Sequence, residues 1–82
     1  MWFVYILRCI DNTFYTWVTT DLQRRLLEHN TSVKSAKYTR MRRPVEMVYF
    51  KEFTTRIEAC KEEYRIKLLT RKQKEEIIKE SE

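Results

Sequence analysis

No glycine occurs among the 82 residues of this chain. Average usage of about 7% would place roughly six in a protein this size, so chance does not explain the gap. Any turn position that needs a left-handed backbone must therefore be filled by another residue, and Asn12 suits one because asparagine visits that region. Soft metal ligands are scarce too. Cys9 and Cys60 stand alone without paired spacing and His29 is the single histidine, too few for a zinc site. Nothing in the chain suggests secretion, so each cysteine reads as a small core residue in a reduced, cytoplasmic setting and not as half of a structural disulfide. The longest apolar run, Met1 to Leu7, is far below the roughly 20 residues of a membrane span. It also lacks the basic leader and small-residue cleavage site of a signal peptide, and it reads as a buried strand with no membrane role.

What is present is ordinary for a folded chain: 43% apolar and 13% aromatic residues, enough for one core, so residues 1–82 are expected to form one small domain. Only the Lys/Glu-rich tail after Leu69 is polar enough to leave order. The net charge of +5 is unevenly placed. Residues 1 to 51 hold nine Lys/Arg against four Asp/Glu, whereas residues 52 to 82 hold eight of each. The stretch 31–44 carries Lys34, Lys37, Arg40, Arg42 and Arg43 and no acid, an electrostatic footprint that fits nucleic acid. From charge alone, a solvated loop on a generally basic protein fits equally well.

Aromatic and β-branched residues mark strands over Trp2 to Cys9 and Phe14 to Thr19, with Asp11-Asn12 as the turn of a hairpin. Thr20-Asp21-Leu22-Gln23 has the form of a capping box, and Leu22, Leu26 and His29 follow at helical spacing, so a helix is expected to about Asn30. After the basic loop and Pro44, Val45 to Lys51 read as a third strand. The capping signature recurs at Thr55-Arg56-Ile57-Glu58 and Thr70-Arg71-Lys72-Gln73, each opening a helix. Ile57, Cys60, Tyr64 and Leu68 are expected to form the buried stripe of the first, and Ile77 with Ile78 that of the second. The expected fold is α+β, a three-stranded antiparallel or mixed sheet flanked by three helices in the order β-β-α-β-α-α.

The hairpin register decides whether Tyr5 and Tyr15 share a face. A two-residue turn at Asp11-Asn12 pairs positions that sum to 23 and sends the two phenols to opposite sides. A three-residue loop of Asp11 to Thr13, or a bulge, makes the sum even and brings them together, and this is the expected arrangement. One face could then hold a phosphodiester.

These residues resemble the GIY-YIG nucleases, and in particular the small single-domain members. Phe3-Val4-Tyr5 is similar to the first motif, and Tyr15-Thr16-Trp17 to the second with its final glycine replaced. Thr19-Thr20-Asp21-Leu22-Gln23-Arg24-Arg25 with Glu28-His29-Asn30 resembles the helix that follows. Ala36-Lys37-Tyr38-Thr39-Arg40 with Arg43-Pro44 matches the loop of the small members, and Glu58-Ala59 through Glu63 with Ile66-Lys67 the metal helix. Any one piece is weak; five in order at family spacing are strong. Relatives of this type usually carry glycine where this chain has Asn12, Trp17 and Met41, which suggests a redesigned or glycine-depleted sequence. Met41 would be uncomfortable in a left-handed conformation.

The resemblance implies hydrolysis of a phosphodiester bond, DNA being the expected substrate, assisted by one divalent cation, magnesium or manganese. A hard cation keeps most of its waters, so one carboxylate on a helix plus phosphate oxygens can be sufficient; by resemblance that carboxylate is Glu63, which without the family would read as one more solvated acid. Arg25 stands where the family carries the arginine that clamps the phosphate, and its guanidinium fork suits the spread charge of the transition state. His29 lies one turn beyond Arg25, with a catalytic or phosphate-contacting role and a structural role both open. Tyr5 is the expected general base or the group that positions the nucleophile, its ionised form favoured by a cation and an arginine, and Tyr15 would orient water or phosphate; both also read as strand aromatics that pack a core. Lys34, Lys37, Tyr38, Arg40, Arg42 and Arg43 are the expected nucleic-acid contacts, with Tyr38 reading equally as a cover for the sheet.

Trp17 is the sharpest departure. An indole in place of the motif glycine fills space that the family leaves open, and it is expected to obstruct the cleft in preference to serving as a stacking platform for a base. Two readings of function follow: an endonuclease whose activity is reduced or lost, and an inactive nuclease-fold scaffold that binds nucleic acid or an acidic protein partner through the basic loop.

Overall fold

The computed structural model describes residues 1–32 and 36–81. It contains strands β1 (Trp2–Arg8), β2 (Phe14–Thr19) and β3 (Glu46–Phe53), and helices α1 (Leu22–Thr31), α2 (Lys37–Arg40), α3 (Arg56–Lys67) and α4 (Arg71–Glu80). The sheet is antiparallel in the order β2-β1-β3, so the α+β fold and its element order are as expected, with the short α2 added inside the basic loop. Val4, Tyr5, Ile6 and Leu7 of β1 are all buried, because helices cover both faces of this central strand and alternate side chains enter opposite layers. Val4, Ile6 and Val18 pack with Ala59 and Ile66 of α3 and Ile78 of α4. Tyr5, Leu7, Cys9 and Val45 pack with Leu22 and Leu26 of α1. Among the described residues no helix is long and apolar enough to cross a membrane.

The hairpin has the even register. Phe3 lies opposite Thr19, Tyr5 opposite Trp17 and Leu7 opposite Tyr15, so Tyr5, Tyr15 and Trp17 project from one face. The loop is one residue earlier than expected: the Cys9 N–H bonds to the Thr13 carbonyl at 2.9 Å, which leaves Ile10, Asp11 and Asn12 to make the turn. Asn12 takes the left-handed backbone that the turn needs, at φ 67°, whereas Met41 sits at φ −86° and bears no strain.

Helix starts follow local hydrogen bonding. The reciprocal capping boxes at Thr55/Glu58 and Thr70/Gln73 are both formed, and the second opens α4, which orders the polar tail. The one expected at Thr20 is not. Asp21 caps α1 instead, its carboxylate accepting from the Arg24 N–H at 3.1 Å, because the chain turns into the helix one residue later and the acid is the group within reach.

The face of α3 also differs from expectation. Ile57, Tyr64 and Leu68 are 70%, 68% and 69% exposed, and Cys60 is only partly covered, while Ala59 and Ile66 are buried. The helix carries apolar residues on two sides, so periodicity alone does not choose between them. Small Ala59 lets the helix approach the sheet, and that contact turns the larger residues outward. Both cysteines are free thiols, Cys9 buried and Cys60 partly exposed.

Candidate active site

The α1 helix buries one polar side chain, His29, with no exposed surface. Its Nε2 lies 2.9 Å from the Tyr5 phenol oxygen, and its Nδ1 lies 2.7 Å from the Thr39 hydroxyl of α2. The Thr39 hydroxyl in turn donates to the Ala36 carbonyl at 3.0 Å. Burial, reinforced by the positive charges of Arg25 and Arg43, lowers the imidazole to about 4, so it is neutral at neutral pH. Burial also raises the Tyr5 phenol, outweighing the opposing pull of Arg25. Arg25 does favour the phenolate, as expected, but taking Tyr5 out of water costs its charged form more than the guanidinium returns.

Arg25, one turn before His29, faces the Tyr5 phenol and donates to Glu28 at 3.1 Å. The Tyr15 ring meets His29 edge-on at 5.4 Å between centroids. Its phenol is raised by burial, with Arg25 pulling it down and Glu63 pushing it up, which brings both charges within range of the same hydroxyl. Tyr15 is the middle of an aromatic stack, with Tyr38 at 5.8 Å and Trp17 at 6.4 Å. The Arg42 guanidinium covers Tyr38 at 3.9 Å.

Trp17 is 41% exposed. The Lys67 ammonium lies 4.2 Å from the centre of its ring and 2.7 Å from the Glu63 carboxylate. Since β2 is an edge strand, a side chain of α3 can reach Trp17 around it, and this contact joins the helix below the sheet to the tyrosines above. Tyr5, Tyr15, Arg25, His29 and Glu63 thus form one connected group, with Glu63 linked through Lys67, Trp17 and Tyr15.

The basic loop divides in use. Arg42 donates to Asp11 at 3.0 Å and to the Tyr38 carbonyl at 2.9 Å. Arg43 turns inward, donating to the His29 carbonyl at 2.6 Å and to the Ser32 carbonyl, so it closes the end of α1. Lys37 and Arg40 lie on the exposed side of α2, while Lys34 lies outside the described residues. Sequence reading gave no role to Thr39 or Lys67. The spacing of Lys67, four residues after Glu63, is a readable signal for a helical ion pair; nothing in the sequence pairs Thr39 with His29.

Among the described residues no three His, Cys, Asp or Glu side chains gather as metal ligands. A cation held at Glu63, whose side chain is only 15% exposed, would take its other ligands from water and phosphate. That all-oxygen, water-rich set fits magnesium or manganese and not a softer metal.

Comparison with known proteins shows the family. Residues 1–76 match the family described as the GIY-YIG catalytic domain. A UPF0213 protein of Desulfotalea psychrophila is 52% identical over 81 residues, covering 99% of this chain and 74% of its own length. One from Bacillus velezensis is 53% identical over 78 residues, covering 95% of this chain and 78% of its own length. Among solved structures, the solution NMR structure of the protein EF2693 from E. faecalis superposes with a TM-score of 0.63 at 52% identity, covering 94% of this chain and 81% of that one. That of a UPF0213 protein from Bacillus halodurans gives 0.61 at 44%, covering 96% and 84%. With the motif tyrosines on one face, the arginine beside them and the carboxylate helix joined to them through Trp17, the chain belongs to the GIY-YIG family.

Proposed function

We propose that this chain is an endonuclease that hydrolyses phosphodiester bonds in DNA with the help of one divalent cation, magnesium or manganese, which Glu63 would hold. The observation that carries the reading is the buried Tyr5–His29 pair, 2.9 Å apart, with Arg25 facing the phenol. A phenol with a proton acceptor on one side and a guanidinium on the other is equipped to pass a proton while negative charge develops nearby.

In this reading the Arg25 fork takes the non-bridging phosphate oxygens. Tyr5 accepts a proton from the attacking water as its own proton passes to His29 Nε2. The water oxygen bonds to phosphorus, the bond from phosphorus to the leaving sugar oxygen breaks, and that oxygen takes up a proton from solvent. Tyr15 orients the water or the phosphate. A bound cation supplies charge neutralisation to the phosphate oxygens. Lys37, Arg40 and Arg42 attract the polyanion, while Arg43 serves by fixing the end of α1. Tyr5 has no exposed surface, so substrate binding has to uncover it; the partly exposed rings of Trp17 and Tyr38 are the adjoining groups with room to move.

That burial, together with Lys67 seated on Glu63, favours the second reading, a scaffold that binds nucleic acid or an acidic protein through the basic loop. Incubating end-labelled single- and double-stranded DNA with magnesium or manganese separates them. The endonuclease reading expects cleavage by the parent, a loss on the order of 100-fold in Glu63→Gln, and a faster Trp17→Gly. A parent that binds DNA with a steep salt slope but never cuts it is the scaffold. Equal cutting by Glu63→Gln removes that residue from the site.

A further inference from the structure

Two residues of this site hold protons whose positions follow from their partners, and a third decides the direction in which the row points. The Arg25 guanidinium that faces the Tyr5 phenol has only donors to offer and cannot take the phenol proton. The phenol proton then needs an acceptor, and His29 Nε2 lies 2.9 Å away. If Nε2 accepts, the imidazole proton sits on Nδ1, 2.7 Å from the Thr39 hydroxyl. Thr39 accepts that proton and passes its own to the Ala36 carbonyl at 3.0 Å. That carbonyl also accepts the helical N–H of Arg40 at 3.0 Å, which uses its second lone pair.

Every link points the same way, from phenol to helix carbonyl. Reversing the row would leave the phenol proton without an acceptor and would take the Thr39 hydroxyl away from Ala36. All three side chains, Tyr5, His29 and Thr39, are fully buried, so water does not supply the missing partners, and an unmet donor there is costly.

We infer that Thr39 is a positioning residue: by accepting from Nδ1 and donating to Ala36, it fixes His29 as the Nδ1–H tautomer and keeps the Nε2 lone pair aimed at the Tyr5 phenol. This rests on the nuclease reading only for its catalytic consequence; the tautomer itself is a property of the protein without substrate. Thr39 acts through His29 and need not touch DNA. The α2 turn in the basic loop thereby contributes the group that keeps the site's proton acceptor in its accepting form.

The chain's single histidine makes the test direct, because the imidazole nitrogen signals of the 15N-labelled, metal-free protein belong to His29 alone. The parent is expected to carry its proton on Nδ1. Tyr5→Phe removes the phenol, leaving Thr39 as the group that holds the ring, and is expected to keep the Nδ1–H form. Tyr5→Phe with Thr39→Ser should keep it too. Tyr5→Phe with Thr39→Val should move the proton to Nε2, the form that free histidine prefers. A parent with its proton on Nε2, or a Tyr5→Phe protein that switches to Nε2–H, overturns the inference, and Tyr5→Phe alone decides if the double variants do not fold.

The catalytic consequence is read separately. Thr39→Val is expected to lower kcat on the order of ten- to a hundred-fold, within the range of general acid–base effects, with KM unchanged and Thr39→Ser restoring the rate. A parent with the Nδ1–H form that never cleaves DNA ends the nuclease reading and leaves the tautomer assignment standing.

Discussion

Replacing Lys67 by methionine should tighten divalent-cation binding at Glu63. The ammonium lies 2.7 Å from the carboxylate, where bare attraction at an effective dielectric of about 20 would be about 6 kcal/mol. That figure is a ceiling, because the Lys67 side chain is 42% exposed and exposed helical pairs of this spacing contribute only about 0.3–0.5 kcal/mol net. The ammonium over Trp17, 4.2 Å from the ring centre, adds roughly 0.5–1 kcal/mol. A cation that takes Glu63 from Lys67 must therefore overcome about 1 kcal/mol, equivalent to roughly a fivefold change in affinity. Manganese titrated into the DNA-free protein, with free ion followed by electron paramagnetic resonance, should show Lys67→Met binding a few-fold tighter than the parent. Glu63→Gln in the same background should lose most of the gain. Equal or weaker binding by Lys67→Met would refute the idea that the lysine occupies the cation's place.

Acid should weaken the fold through His29. The unfolded chain takes up the imidazole proton near 6.5, whereas the folded chain resists it until about 4. Stability is therefore full above about pH 6.5 and falls as pH drops through that window, by at most on the order of 3 kcal/mol. Urea midpoints measured from pH 7 to 4 should fall more steeply for the parent than for His29→Gln; parallel curves would argue against a buried neutral imidazole. The face of α3 is tested by stability alone: Ile66→Ala should cost about 2–5 kcal/mol, while Tyr64→Ala should stay within about 0.5 kcal/mol. The opposite ranking would place the sequence-derived stripe inward after all.

The strands and the hairpin were legible because one argument governs both. Tyr5 and Tyr15 can share a face only if paired positions sum to an even number, and with glycine absent Asn12 was the residue suited to the left-handed turn, which it makes at φ 67°. The turn begins one residue earlier than the Asp11–Thr13 loop, yet the parity is the same, so every side chain of β2 falls on the expected side. The α3 face was not legible for a comparable reason. Ile57, Tyr64 and Leu68 have helical spacing, but so do Ala59 and Ile66, and the choice depends on how closely the helix approaches β1 and β2, a tertiary distance that no local pattern encodes.

The site divides along the same line. Residues fixed by strand parity or helical turn, Tyr5 with Tyr15 and Arg25 with His29, could be paired from the sequence. Contacts between elements could not: Thr39 reaches His29 only because α2 folds back onto α1, and Lys67 reaches Trp17 only because β2 is the sheet's edge. Trp17 shows how such a contact changes a local expectation. Read as a strand residue it was an obstruction, because an indole replaced the motif glycine. In the folded chain its ring lies against Tyr15 on one hand and Lys67 on the other, and it therefore decides where the lysine rests. An indole that holds an ammonium against Glu63 can therefore govern access by a cation as well as cover the phosphate's place. Trp17→Gly and Lys67→Met should then act in the same direction on cation affinity, with the double variant gaining little beyond the better single one, as expected for two residues that share one interaction.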